Sequence, residues 1–148
     1  MGIYMEGNSN KKVWKFGSRW SENGTYDSCI ADTVFNRYNI AFSYTHAVLD
    51  ANAGDLIALA NGWTIVAIGE ILSQPDEIKN LSIKPTPQDQ KNYFDDENVC
   101  GCIVHYHWLS PEDRFEYCRR GKFCHAPQIA DHVNSLFKKY NALNNSNM

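Results

Sequence analysis

The stretch "GDLIALANGWTIVAIGEI" (residues 54–71) decides how this chain folds. Two apolar runs flank Asn61-Gly62, a dipeptide that favours the tight turn of a β-hairpin because both residues tolerate positive φ. With Asn61-Gly62 as a two-residue turn, Ala60 faces Trp63, Ala58 faces Ile65, and Leu56 faces Ala67 on one side of the hairpin. Ile57 with Val66, and Leu59 with Thr64, share the other side. That second side is bulky and branched, and suits a core. The first is built of small residues, ends at Gly54 and Gly69, and lets a helix, a strand or a ligand approach closely. Glu70 and Asp55 are the only charges in the stretch, so both faces must be covered.

A chain of 148 residues is expected to form one domain with its own core. Hydrophobic residues make up 43% and charged residues 21%, which excludes a disordered chain. No apolar run approaches the ~18 residues of a membrane span. Five cysteines, an odd number, come with no export signal. They read as reduced thiols, with a cytoplasmic location and no membrane partner. The net charge of −3 argues against a general coat for nucleic acid. Local segregation is strong all the same. "KKVWKFGSRW" (11–20) and "RRGK" (119–122) are basic, and the acids gather in "DDE" (95–97).

Outward from the hairpin, residues 1–11 read as a disordered tail, 12–140 as one domain and 141–148 as a polar tail. "KVWKF" alternates Val13 and Lys15 against Trp14 and Phe16, as a strand does. "IADTVFNRY" (30–38) suits a short helix, "YNIAFSYT" (38–45) a second strand, and "HAVLDANA" a helical or turn link closed by Gly54. Residues 73–98 hold three of the five prolines and read as a long acidic excursion with one short helix near 76–81. "VCGCIVHYHWLSP" (99–111) is a strand, with Cys102, Val104, Tyr106 and Trp108 on one face and Ile103, His105 and His107 on the other. Ser110, Pro111, Glu112 and Asp113 start a helical turn. In "APQIADHVNSLFKKY" (126–140), Ile129, Val133, Leu136, Phe137 and Tyr140 form the stripe of an amphipathic helix. Five or six strands joined mostly by hairpins predict an α+β fold: a small, partly closed, mixed β-barrel with peripheral short helices and a C-terminal helix.

The chemistry-bearing residues fall into a few groups. Cys100, Cys102, His105, His107, Cys118, Cys124 and His125 are seven potential zinc ligands, yet no CxxC is present and a strand puts the first two cysteines opposite the histidines. Buried thiols and half-buried imidazoles account for them, and neither a metal nor a cofactor is expected. Cys118 or Cys124 could act as a nucleophile with a histidine, although no nucleophile signature surrounds either. No Walker A or GxGxxG is present, and Asp95, Asp96 and Glu97 fit a solvated acidic turn. Aromatic residues interleave with bases twice: Trp14, Lys15, Ser18, Arg19 and Trp20, then His107, Trp108, Phe115, Tyr117, Arg119, Arg120 and Lys122. Rings stack on an extruded base and cations take the flanking phosphates. The plainer account makes the rings barrel core and the bases a solvated rim. No catalytic residue is expected.

"VWKFG", "YNIAFSYT", "AGDLIALANGWTIVAIGEI" and "YHWL…FEYCRRGKF" before a terminal helix together resemble the PUA-like superfamily. Within it the sequence is similar to EVE-type domains and to domains of modification-dependent restriction systems. The resemblance covers most of residues 12–140. It implies a pseudo-barrel whose mouth accepts a flipped, often methylated base. Carried over by position, Phe16, Gly17, Ser18, Trp20, Tyr44 and Trp63 would line that mouth, with Trp108 from the second aromatic cluster. Lys15, Arg19, Arg119, Arg120 and Lys122 would take phosphates. The expected function is non-enzymatic recognition of a modified base in nucleic acid, or of a nucleotide. A protein-interaction or immunity module of a bacterial defence or toxin system is the alternative, its acidic 73–98 segment facing a basic partner. A small cysteine-dependent hydrolase comes third.

Overall fold

The computed structural model of the chain describes residues 10–17, 38–43, 46–95, 99–119 and 123–146. Of the expected helix over 30–38, all but Tyr38 therefore lies outside the described residues. Among the described residues eight strands form one sheet: β1 (Val13–Gly17), β2 (Ile40–Ser43), β3 (Leu56–Asn61), β4 (Thr64–Ile71), β5 (Asp76–Glu77), β6 (Cys100–Trp108), β7 (Phe115–Glu116) and β8 (Phe123–His125). Their order is β2-β6-β4-β3-β1-β8, with β5 added to β6 and β7 to β4. Among the described residues only β1 and β3 pair in parallel. The described residues also hold two longer helical segments. The first, α1, is a helical turn at Pro87–Asp89 that widens over Gln90–Phe94, and the second, α2, runs over Ala130–Ser146.

The sheet curls into a half-barrel. Its end strands β2 and β8 do not pair with each other among the described residues. The short 3₁₀ turn at His46–Asp50 spans the gap instead, touching β2, β6 and β8. Inside the curl lies the larger core, with Trp14, Phe16, Phe42, Ile57, Leu59, Val66, Ile71, Cys102, Val104, Phe94 and Phe123. Phe42 packs on Phe16 and Phe94 at ring distances of 6.0 and 5.5 Å. On the outside of the sheet α2 buries Val133, Leu136 and Phe137 against Val13, Leu56, Ala58, Ala60, Ile65 and Ile68.

The opening hairpin is present, but its turn sits one residue later than the sequence suggests. Asn61 pairs with Thr64, so Gly62 and Trp63 make the turn. Gly62 has φ of 66°, and a glycine with positive φ at the first central position is what such a turn demands. The register then shifts between Leu59 and Ala60, and Leu59 meets Ala67 while Ala60 meets Ile65. This bulge turns both Val66 and Ala67 to the inner core and leaves Ile65 and Ile68 under α2. The small residues Ala58 and Ala60 of β3 do admit the helix.

Three other expectations change. Of the expected excursion over 73–98, the described residues 73–95 dock on the fold along much of their length. Asp76 and Glu77 extend the sheet beside Gly101 and Cys100, Ile78 enters the core, and Tyr38 donates to the buried Asp89 carboxylate at 2.6 Å. The helical segment α1 was not foreseen, although Thr86 caps it by accepting from the Asp89 amide at 3.1 Å and Pro87 occupies its first position. Helix α2 continues through the expected polar tail to Ser146. At the other terminus, the buried Asn134 of α2 clamps Lys11, accepting from its amide and donating to its carbonyl, each at 2.9 Å.

Among the described residues no helix is long and apolar enough to cross a membrane.

Candidate functional site

Register decides where the chemistry-bearing side chains point. Phe123, Phe16, Leu59, Ala67 and Trp108 are successive cross-strand partners on β8, β1, β3, β4 and β6. Directly opposed residues share a sheet face, so these five side chains form one row across the inner surface. Four of them are buried, and the row ends in Trp108, which is 39% exposed. One step nearer the hairpin tip, Asn61, Thr64 and Glu116 form the next set of partners. The Thr64 hydroxyl donates to the Glu116 carboxylate. Trp63 caps this end at 56% exposure, and its carbonyl accepts from the Tyr117 amide at 2.7 Å. The two most exposed of the described tryptophans thus lie at the same end of the half-barrel, with a hydrogen-bonding threonine–glutamate pair at that rim.

The chain leaving β7 runs past the turn, where the Tyr117 amide meets Trp63, to Arg119. Arg119 is exposed. Lys15, whose alternation on β1 puts it on the α2 side of the sheet, is buried at 4% exposure. Its ammonium donates to the Arg119 carbonyl at 2.7 Å. Burial pushes the Lys15 pKa down, partly offset by the neighbouring Cys124 sulfur. Lys15 and Cys124 are themselves cross-strand partners, and the neighbouring Cys124 sulfur pushes the Arg119 pKa up.

Of the expected pocket residues, then, Trp63 and Trp108 come together at one rim. Phe16 and Gly17 are buried, Phe16 in the middle of the inner core against Phe42 and Phe123. Ser18, Trp20 and Tyr44 lie outside the described residues. Of the expected phosphate ligands, Lys15 and Arg119 adjoin each other, Lys15 with its ammonium already engaged by backbone. Arg19, Arg120 and Lys122 lie outside the described residues. Thr64 and Glu116 escaped the sequence reading, because only the pairing of a two-residue strand brings them together. Trp14 is not part of this rim. Its indole donates to Asp55 at 2.9 Å and stacks on Phe123 at 5.5 Å.

The cysteines and histidines of the 100–125 segment divide between environments. Cys100 and Cys102 are buried in the inner core, and burial pushes the Cys102 thiol up to about 12. His105 and His107 stand on the helix side of β6, their rings 4.8 Å apart. His107 packs near Phe137 and Tyr140 and hydrogen-bonds Asn141 at 3.1 Å. Among the described residues no group of three or more His, Cys, Asp or Glu is placed to hold a metal ion.

Burial, reinforced by His105, pushes the His107 pKa below its ordinary 6.5. The unfolded chain therefore binds this proton more readily than the folded one. This contribution to stability is complete above pH 6.5 and declines as the pH drops from there through the lowered folded value. Urea unfolding at pH 7.5 and pH 5 should show the decline, and His107→Phe should make the difference between the two pH values smaller. An unchanged difference would remove His107 from the account.

The chain matches no family model, no curated protein and no solved structure.

Proposed function

We propose that this chain is a PUA-like domain of the EVE type, a non-enzymatic binding module that takes a modified base, within nucleic acid or as a nucleotide, at the Trp63–Trp108 end of its half-barrel. The observation that carries the proposal is the exposure of these two indoles at one rim, while the other described large rings of the sheet row are buried. An exposed indole offers a flat, desolvatable face, and stacking a base on an aromatic ring is worth about 1–3 kcal/mol. Thr64 and Glu116 supply a hydroxyl and a carboxylate beside that face, groups suited to the edge of a base. Arg119, exposed and two residues beyond the Tyr117 amide that bonds the Trp63 carbonyl, is the cation proposed for a phosphate.

Titration of methylated and unmodified oligonucleotides at two salt concentrations tests the proposal. Tighter binding of the modified form is expected, with an affinity that weakens as salt rises, because each phosphate contact releases counterions. Trp108→Ala should weaken binding roughly 5- to 150-fold, the equivalent of one lost stack. Absence of binding to either form at low salt would overturn the proposal.

A further inference from the structure

Glu116 faces the same way as Trp108. Ile65 and Phe115 are cross-strand partners on the α2 side of the sheet. Thr64 and Glu116, the next residue along each strand, therefore turn to the inner face. Trp108 is the partner of Ala67, which lies in the inner core. Strand β3 holds one edge of β4, and β6 and β7 share the other. The indole and the carboxylate thus follow each other along that edge, with only Ile65 and Val66 between their β4 partners.

Both groups are held in place. The Tyr106 ring lies 6.5 Å from that of Trp108, and its hydroxyl donates to the Ile40 carbonyl at 3.0 Å. Glu116 is exposed, and its Oε2 accepts from the Thr64 hydroxyl. Among the described residues its Oε1 takes no hydrogen bond, and no lysine or arginine pairs with the carboxylate. A carboxylate accepts hydrogen bonds and donates none, so beside a stacking ring it selects a base by its edge. Uracil and thymine flank their one N–H with acceptors. Adenine and cytosine set one amino donor beside a ring-nitrogen acceptor. Guanine alone among the common bases puts two donors, N1–H and the 2-amino group, side by side, and these match the two oxygens of a carboxylate. Methylation of guanine at N7 leaves that edge intact and gives the ring a positive charge. An indole face attracts such a ring, and the charge complements Glu116.

We propose that the modified base taken at this rim is N7-methylguanine, stacked on Trp108 with its N1–H and 2-amino group donating to Glu116. The assignment rests on the base-binding reading of the rim and names its ligand. Thr64 orients the carboxylate through Oε2, which keeps a second lone pair for the base.

The test uses the whole chain and nucleosides, which carry no phosphate and so leave Arg119 out of the readout. Tryptophan fluorescence is titrated at pH 6, where 7-methylguanosine keeps its N1 proton and its positive charge. 7-Methylguanosine should bind roughly 3- to 30-fold more tightly than guanosine, the range of one cation–π contact. 7-Methylinosine, which lacks only the 2-amino group, should bind more weakly than 7-methylguanosine. Glu116→Gln, a change at an exposed side chain, should weaken 7-methylguanosine binding roughly 10- to 100-fold, the range of hydrogen bonds to a charged group. A preference for 5-methylcytidine or N6-methyladenosine over 7-methylguanosine would overturn this assignment and leave the base-binding reading standing. Equal binding of 7-methylguanosine and guanosine, or an affinity indifferent to both Glu116→Gln and loss of the 2-amino group, would overturn it as well. So would binding of none of these nucleosides, and the oligonucleotide titration then decides the wider reading separately.

Discussion

Replacing Phe16 with alanine is expected to lower the unfolding free energy by about 3–5 kcal/mol, the usual cost of deleting a phenyl ring from a packed core. Phe16 is fully buried. It pairs with Phe123 on one side and Leu59 on the other, and its ring meets those of Phe42 and Phe123 at 6.0 and 6.4 Å. These neighbours sit on three other strands of the curl, so no single element can collapse into the space the ring leaves. Domains of this kind are stable by only about 5–15 kcal/mol, and the loss is a large share of that. Urea unfolding followed by circular dichroism measures it. A loss below about 1 kcal/mol would mean that the ring lines an open site and not the core.

Gly101→Val is expected to have the next largest effect, about 3 kcal/mol, at the upper end of what overpacking commonly costs. Gly101 lies where β6 is held on both sides, opposite Phe42 of β2 and Asp76 of β5. A Cβ there would come within 2.7 Å of the Ala41 carbonyl oxygen and 2.8 Å of the Ile78 Cδ1. The Ile78 side chain can rotate away. The Ala41 carbonyl belongs to the β2–β6 pair and cannot move without opening it. Gly101→Ala should cost less, since its Cβ is the only added atom. A wild-type urea midpoint for the valine variant would show that this pairing is looser than described.

Much of the fold is legible in the chain because burial imposes a period. The alternation along β1 and β6 placed Trp14, Phe16, Cys102 and Val104 on the inner face, and the stripe Val133, Leu136, Phe137 marked the face of α2 that packs on Ala58 and Ala60. What escaped has no period. The shift at Leu59/Ala60 depends on how two faces are filled at once. The parallel pairing of β1 with β3 joins segments far apart in the chain. Helix α2 overran its apolar stripe because Asn141 finds His107 as a partner. The Thr86-Pro87 start of α1 has the residues of a helix N-terminus, but the prolines and charges around it have the composition of a loop. The rim was half legible. Exposed tryptophans can be suspected from a turn, whereas the pairing of Thr64 with Glu116, and of Lys15 with Cys124, needs the register.

Indole resonances give the most direct test of where a ligand sits. The Trp14 indole is tied to Asp55 and packed on Phe123, away from the rim, and serves as an internal control. On titration with a methylated oligonucleotide, the indole N–H signals of Trp63 and Trp108 should shift in proportion to binding while that of Trp14 stays in place. Binding that moves the Trp14 signal and leaves Trp63 and Trp108 unmoved would contradict the assignment of the rim as the base-binding site.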